Sequence, residues 1–275
     1  MTLPKYASPI GNMNRRHLLA AGVAGMSGGI SLPGIGQVKD FGDIINKAGR
    51  QRMLTQRLVK VWLATLHNIE PLSTPKIFDS SFALFERQLI ELKASAPNAE
   101  IRETYQQLET VWGGYKRLLL TKAQRELIPE LLKIDAQLLA LAHQGTEQLE
   151  ASATKPTAKL VNLAGRQRML TQRMAKFYLL AALPYNFAQA VQEVNAARTE
   201  FVTASSLLRA APEATDKIKQ ELDLAANQWA FLDVALQNIQ SRDSANRMKS
   251  LVFLTSENIL AVMDRVTDLY VAVKA

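Results

Sequence analysis

The segment AGRQRMLTQR stands twice in this chain, without a change, at residues 48–57 and 164–173. The sequence around the two copies has drifted apart. A repeat of this kind marks two equivalent structural units, which constrains the architecture before any single helix is considered. Gly49 and Gly165 lie 116 residues apart. VKVWLATL (59–66) follows the first copy and AKFYLLAA (175–182) the second, with an aromatic side chain at Trp62 and at Tyr178. Trp112 and Trp229 repeat at a spacing of 117, one residue off the motif.

From Phe41 onward apolar residues recur at steps of three and four, with neither an alternating strand pattern nor an Asn-Gly hairpin signal. Breaks fall at Pro71–Pro75, Pro97-Asn98, Thr121, Thr154–Thr157 around Pro156, Pro184, Pro212 and Ser241–Ser244. They divide the chain into eight helices in two sets of four. The expected fold is all-α: two tandem antiparallel four-helix bundles, 37–153 and 154–275, related by pseudo-two-fold symmetry and joined at SATKPT (152–157). The fourth helix of the first set could also continue directly into the first helix of the second.

Residues 1–36 differ from the rest. They hold Lys5, Arg15 and Arg16 but no acid, followed by a glycine- and alanine-rich apolar run. That order is the order of an export signal, and Arg15-Arg16 before His17, Leu18 and Leu19 resembles the twin-arginine type. The expected location is therefore the periplasm, with an uncleaved signal anchoring the chain in the inner membrane as the alternative. Without this segment the basic residues fall from 33 to 30 against 25 acids, so the formal charge drops from +8 to +5. A nucleic-acid partner loses its main support. No other stretch has the length of a membrane-spanning helix.

With no cysteine, thiolate chemistry and disulfides are excluded. His17, His67 and His143 are far apart, and neither His67 nor His143 has a glutamate three residues before it, so a di-iron bundle site fails too. No metal, cofactor or nucleophile can be assembled, and no enzyme is expected.

Placed on a helix, Ile45, Ala48, Arg52, Thr55, Val59 and Trp62 form one stripe, so Arg52 faces inward among apolar and small residues. Arg50 and Arg57 share another face with Asp43 and Lys47. The second copy places Arg168 between Val161, Ala164, Thr171 and Ala175, with Arg166 and Arg173 outside. A guanidinium on a buried stripe requires a partner, either an internal carboxylate or a bound anion. Glycine within a helix costs about 0.5–1 kcal/mol relative to alanine. Gly49 and Gly165 therefore point to close helix approach beside the arginines. Met53 and Met169 are expected to pack at the motif interface. If the bundles face each other, the two motif helices cross, Arg52 meets Arg168, and a planar oxyanion fits between their donors.

INKAGRQRMLTQR (45–57) and VNLAGRQRMLTQR (161–173) resemble the signature helix of the PilJ-type sensory domain of type IV pilus chemotaxis transducers. They are also similar to the periplasmic domain of NarX-type nitrate/nitrite sensor kinases. The resemblance implies a four-helix bundle with the signature in its first helix. It also implies one anion-gripping arginine per unit, which falls on Arg52 and Arg168, aided by backbone at Gly49 and Gly165. Arg50 and Arg166 would contribute charge to the ligand site. Ala48, Met53, Thr55 and Arg57, with Ala164, Met169, Thr171 and Arg173, would support it. Arg50-Gln51 and Arg166-Gln167 depart from the smaller residues of the nitrate sensors and place the motif nearer the pilus-transducer branch. The expectation is a sensory module, doubled and exported, that binds nitrate or nitrite without turnover and signals to a partner protein. The alternative is an interaction module whose repeated helices dock a signalling, pilus or chemotaxis partner with no small ligand.

Overall fold

The computed structural model describes residues 41–240 and 246–273. Within them the chain forms eight long helices and, among these residues, no strand. The helices are α1 (Phe41–Leu66), α2 (Thr74–Ser95), α3 (Ala99–Leu120), α4 (Ile128–Ala151), α5 (Thr157–Ala181), α6 (Phe187–Ala210), α7 (Asp216–Gln237) and α8 (Asn246–Ala272). Short 3-10 turns occupy Arg125–Leu127 and Asn238–Gln240. The export-type segment and the break at Ser241–Ser244 lie outside the described residues. No described helix is long and apolar enough to cross a membrane.

Local chemistry explains the breaks. Proline sits in the first turn of α2 and of α4, where its missing N–H breaks no helical bond. Asn98 caps α3 by accepting from the Ile101 N–H at 2.9 Å, and Thr215 caps α7 through Ile218 N–H at 3.3 Å. Asn186, in the left-handed region at φ 33°, caps α6. The helix does not run through Ser152–Pro156: α4 ends before it and α5 starts after it, and the expected boundary between 153 and 154 falls in this connection.

Helix α1 packs on α2 and α4, with α3 on α4; α5 packs on α6 and α8, with α7 on α8. The two sets of four meet through α1 and α5, and all eight helices pack as one unit. Contacts between α1 and α5 run from Asn46/Arg168 and Arg52/Asn162 to Gln56/Lys176, and His67, just past the end of α1, reaches Leu179. The helices therefore lie side by side in the same direction instead of crossing at one point as expected. Walled in on several sides, α1 and α5 keep little solvent face. An apolar helix would suit such a position, yet Gln51, Arg52, Gln56 and Lys60 of α1 and their matches on α5 are all buried. Each half also holds one stacked aromatic pair, Phe85 on Trp112 at 4.0 Å and Phe201 on Trp229 at 4.5 Å.

Candidate functional site

The α1–α5 seam is tightest at its glycines. A Cβ on Gly49 would stand 3.7 Å from the Gly165 Cα, and one on Gly165 would stand 3.8 Å from the Gly49 Cα. The guanidinium groups come together over this gap. The Cβ position of Gly49 is 3.2 Å from Arg52 Nη2 and 3.5 Å from Arg168 Nη2, and the Gly165 position is 3.1 Å from Arg168 Nη2 and 3.8 Å from Arg52 Nη2. Each arginine reaches across to the opposite helix. Arg52 Nη2 donates to the Asn162 Oδ1 at 2.6 Å and its carbonyl at 3.3 Å, and Arg168 Nη2 donates to the Asn46 carbonyl at 3.2 Å. Both side chains are fully buried, and both Nε atoms have no hydrogen-bond partner.

The two halves then diverge. Arg168 Nη1 donates to Asp264 Oδ1 of α8 at 2.6 Å. At the matching place Arg52 Nη1 donates to His143 Nδ1 of α4 at 3.3 Å, and among the described residues no carboxylate pairs with Arg52. An arginine can only donate, so Nδ1 accepts there and the ring is uncharged; Nε2 lies 3.2 Å from Glu147 and 3.5 Å from Arg166 Nη1. Burial, with Arg52 adding repulsion, lowers the His143 pKa and agrees with that state. Burial lowers the pKa of both arginines. For Arg52, repulsion from Arg166 and Arg168 adds to the shift and Glu147 offsets it only weakly, whereas for Arg168 the contacting Asp264 carboxylate is the largest offset. Arg52, buried and with no carboxylate in contact, stands to gain from an anion.

Arg52 lies at the floor of a cavity of about 380 Å³ between α4, α5 and α6, where His143, Arg166, Arg173, Glu193 and Glu200 supply the other polar walls. Arg166 pairs with Glu200, and Arg173 pairs with Glu193 at 2.6 Å. Leu139, Met169 and Leu170 form apolar walls. Among the described residues no cluster could hold a metal ion.

Comparison with known families bears directly on this repeated geometry. The family described as type IV pili methyl-accepting chemotaxis transducer N-term (PilJ) matches residues 37–138 and, separately, 151–269. The chain belongs to the PilJ family. Each PilJ segment begins just before a motif helix, and the family is one of sensory, signalling domains and not a catalytic one. No curated protein and no solved structure matches the chain.

The PilJ motif residues distribute as follows. Ala48, Ala164, Met53 and Met169 are buried in the motif helices, and Met169 also lines the cavity. Thr55 and Thr171 turn back, donating to the carbonyls of Arg52 at 2.8 Å and Arg168 at 2.9 Å. Arg50 reaches Asp264 at 3.4 Å, on the far side of the seam from Arg166. Arg57 pairs with Glu257 and donates to Ser81 Oγ at 3.1 Å. The outer arginines thus meet acids of neighbouring helices.

Sequence reasoning missed a second polar layer. Gln51 and Gln167 donate to the Phe85 and Phe201 carbonyls, at 3.2 and 2.9 Å. Further along, Lys176 donates to Asp135 at 2.8 Å and to Gln56, while Gln56 and Tyr115 also donate to Asp135. Lys60 pairs with Glu257 and donates to Ser256 Oγ at 3.0 Å. Burial pushes Lys60 down to about 8 despite Glu257, and it also lowers Lys176 despite Asp135. The identity of the two copies at Gln51/Gln167, Gln56/Gln172 and Lys60/Lys176 was the available signal.

Proposed function

We propose that this PilJ protein is a non-enzymatic sensory module in which Arg52 and Arg168, brought together over Gly49 and Gly165, hold a small oxyanion of the nitrate or nitrite class. The observation that carries the proposal is Arg52: a fully buried guanidinium, close to a second one, without a carboxylate partner. An uncompensated buried charge is costly, and a planar anion matches the arginine fork. Recurrent contacts, such as Thr55/Thr171 and Gln51/Gln167, support a pseudo-two-fold relation between segments 37–153 and 154–275. Anion binding at the seam would shift the equilibrium between arrangements of α1 and α5, which a partner protein reads as a change of surface. The twin-arginine-like segment 1–36 would deliver the folded chain to the periplasm.

Calorimetry on the full chain tests this. Saturable heat with nitrate or nitrite is expected, lost in the Arg52→Ala, Arg168→Ala double variant. No heat with any small oxyanion sinks the proposal. Retained binding in a folded double variant removes these two residues from it.

One observation favours the rival role of a docking module without a small ligand. Arg168 is already neutralised by Asp264 of its own bundle, as a purely structural cation would be. That role predicts an unaltered thermal midpoint at saturating anion, whereas binding to the folded state alone raises it.

A further inference from the structure

The motif helices are alike, but the fourth helices beside them are not. Three contacts set α4 and α8 in one register. Gln56 donates to Asp135 as Gln172 donates to the Ser256 carbonyl; Lys176 reaches Asp135 as Lys60 reaches Ser256; Arg52 reaches His143 as Arg168 reaches Asp264. Asp135 thus matches Ser256, and His143 matches Asp264. In the same register Ala136 matches Glu257 and Ala140 matches Ala261. The second half therefore carries two carboxylates where the first carries an alanine and a neutral histidine.

The consequences are visible on both sides. Glu257 takes Arg57 and Lys60, while Asp264 takes Arg168 and Arg50. Beside α4, Arg173 and Arg166 of α5 turn instead to Glu193 and Glu200 on α6, and Arg52 is left with amide, carbonyl and imidazole partners. The cavity of about 380 Å³ opens where the two carboxylates would stand: Ala136, Ala140 and His143 all line it, above Arg52. Ala136 and Ala140 are exposed at its rim, and Arg52 is buried at its floor.

We infer that this cavity binds a small organic monocarboxylate, its carboxylate meeting Arg52 beside the His143 ring and serving it as Asp264 serves Arg168, its apolar body against Ala136, Leu139 and Ala140. The inference rests on Arg52 being an anion-binding residue, as proposed above, and names a different ligand class for it. Charge sets the valence: Arg166 and Arg173 are each paired with a glutamate, Glu147 reaches His143, and Arg52 is the cation of the lining with no carboxylate in contact. Volume sets the body. At roughly 30 Å³ per water, the space equals about a dozen waters, far more than a four-atom anion fills. Apolar walls with few polar groups suit a ligand with an apolar body.

The test is isothermal titration of the full chain with hexanoate, benzoate, acetate and nitrate. Hexanoate and benzoate should bind one per chain, about tenfold or more tighter than acetate, which keeps the charge but lacks the body. His143→Asp gives α4 the internal carboxylate of α8 and should abolish hexanoate binding without lowering the thermal midpoint. Ala140→Trp, at the exposed rim, should remove hexanoate and benzoate binding and spare any nitrate binding. Hexanoate binding that survives in either variant overturns the inference, as does the absence of organic-acid binding in the unaltered chain. If nitrate binds and the organic acids do not, only this inference falls. If no anion binds, the function proposed above falls with it.

Discussion

Arg52 and Arg168 lie in the same ten-residue motif at the same depth, and what gives one a carboxylate and the other none is the residue met on the fourth helix of each set, His143 or Asp264. The inward direction of both was legible because the stripe of Ile45, Ala48, Thr55 and Val59 fixes it by helical period alone. Their partners were not, because the register of α4 and α8 against the seam is a long-range property. The residue scale also yields a pH prediction. Burial opposes ionisation of Glu257, but Lys60 and Arg57 outweigh it and hold the carboxyl down to about 2, against 4.5 in the unfolded chain. A depressed carboxyl stabilises the fold above its unfolded value, and that contribution is lost as pH falls from about 4.5 through about 2. Glu257→Gln leaves Lys60 buried and unpaired, so at pH 7 it should lose roughly 2–4 kcal/mol in urea unfolding. The gap to the unaltered protein should narrow as the pH is stepped below about 4. A constant gap down to pH 2.5 would reject the assignment.

At the scale of the element, glycines tell the helices apart. Gly113, inside α3, has nothing within 4 Å of its Cβ position, so Gly113→Ala should add about 0.5–1 kcal/mol of stability. A Cβ on Gly145, inside α4, would stand 2.8 Å from the Tyr105 ring and 2.9 Å from its hydroxyl oxygen. Tyr105 is buried, so Gly145→Ala should cost about 1–3 kcal/mol. Equal urea midpoints for the two variants would contradict this. Most helix ends were legible, because prolines and the caps Asn98 and Thr215 act locally. The buried Gln51, Gln56 and Lys60 were not. A single apolar stripe implies a wet opposite face, whereas α1 is covered by α2, α4 and α5 together.

For the whole molecule, the repeat made two units legible, but not how far they depend on each other. Lys60 of the first half finds Glu257 in the second, and Lys176 of the second finds Asp135 in the first. Each half therefore completes the charge balance of the other. Residues 38–153 expressed alone should bury Lys60 without Glu257, and 154–275 should bury Lys176 without Asp135. Neither is expected to be a folded monomer by circular dichroism and gel filtration, while co-expression should recover the paired form. Two independently folded monomeric halves would show that the seam ion pairs are dispensable.

The five residues Ser152–Pro156 that join α4 to α5 acquire a role from the likeness of the two seams. Helix α1 carries the same ten-residue face as α5, so chemically it can pair with an α1 or α5 from another chain. A short tether holds the proper partner at an effective concentration in the millimolar range, which free copies of the chain do not reach. The connection is in this sense a device against helix-exchanged oligomers. A protease cut within it would leave every contact of the seam in place, yet turn a unimolecular fold into an assembly that dilution can take apart.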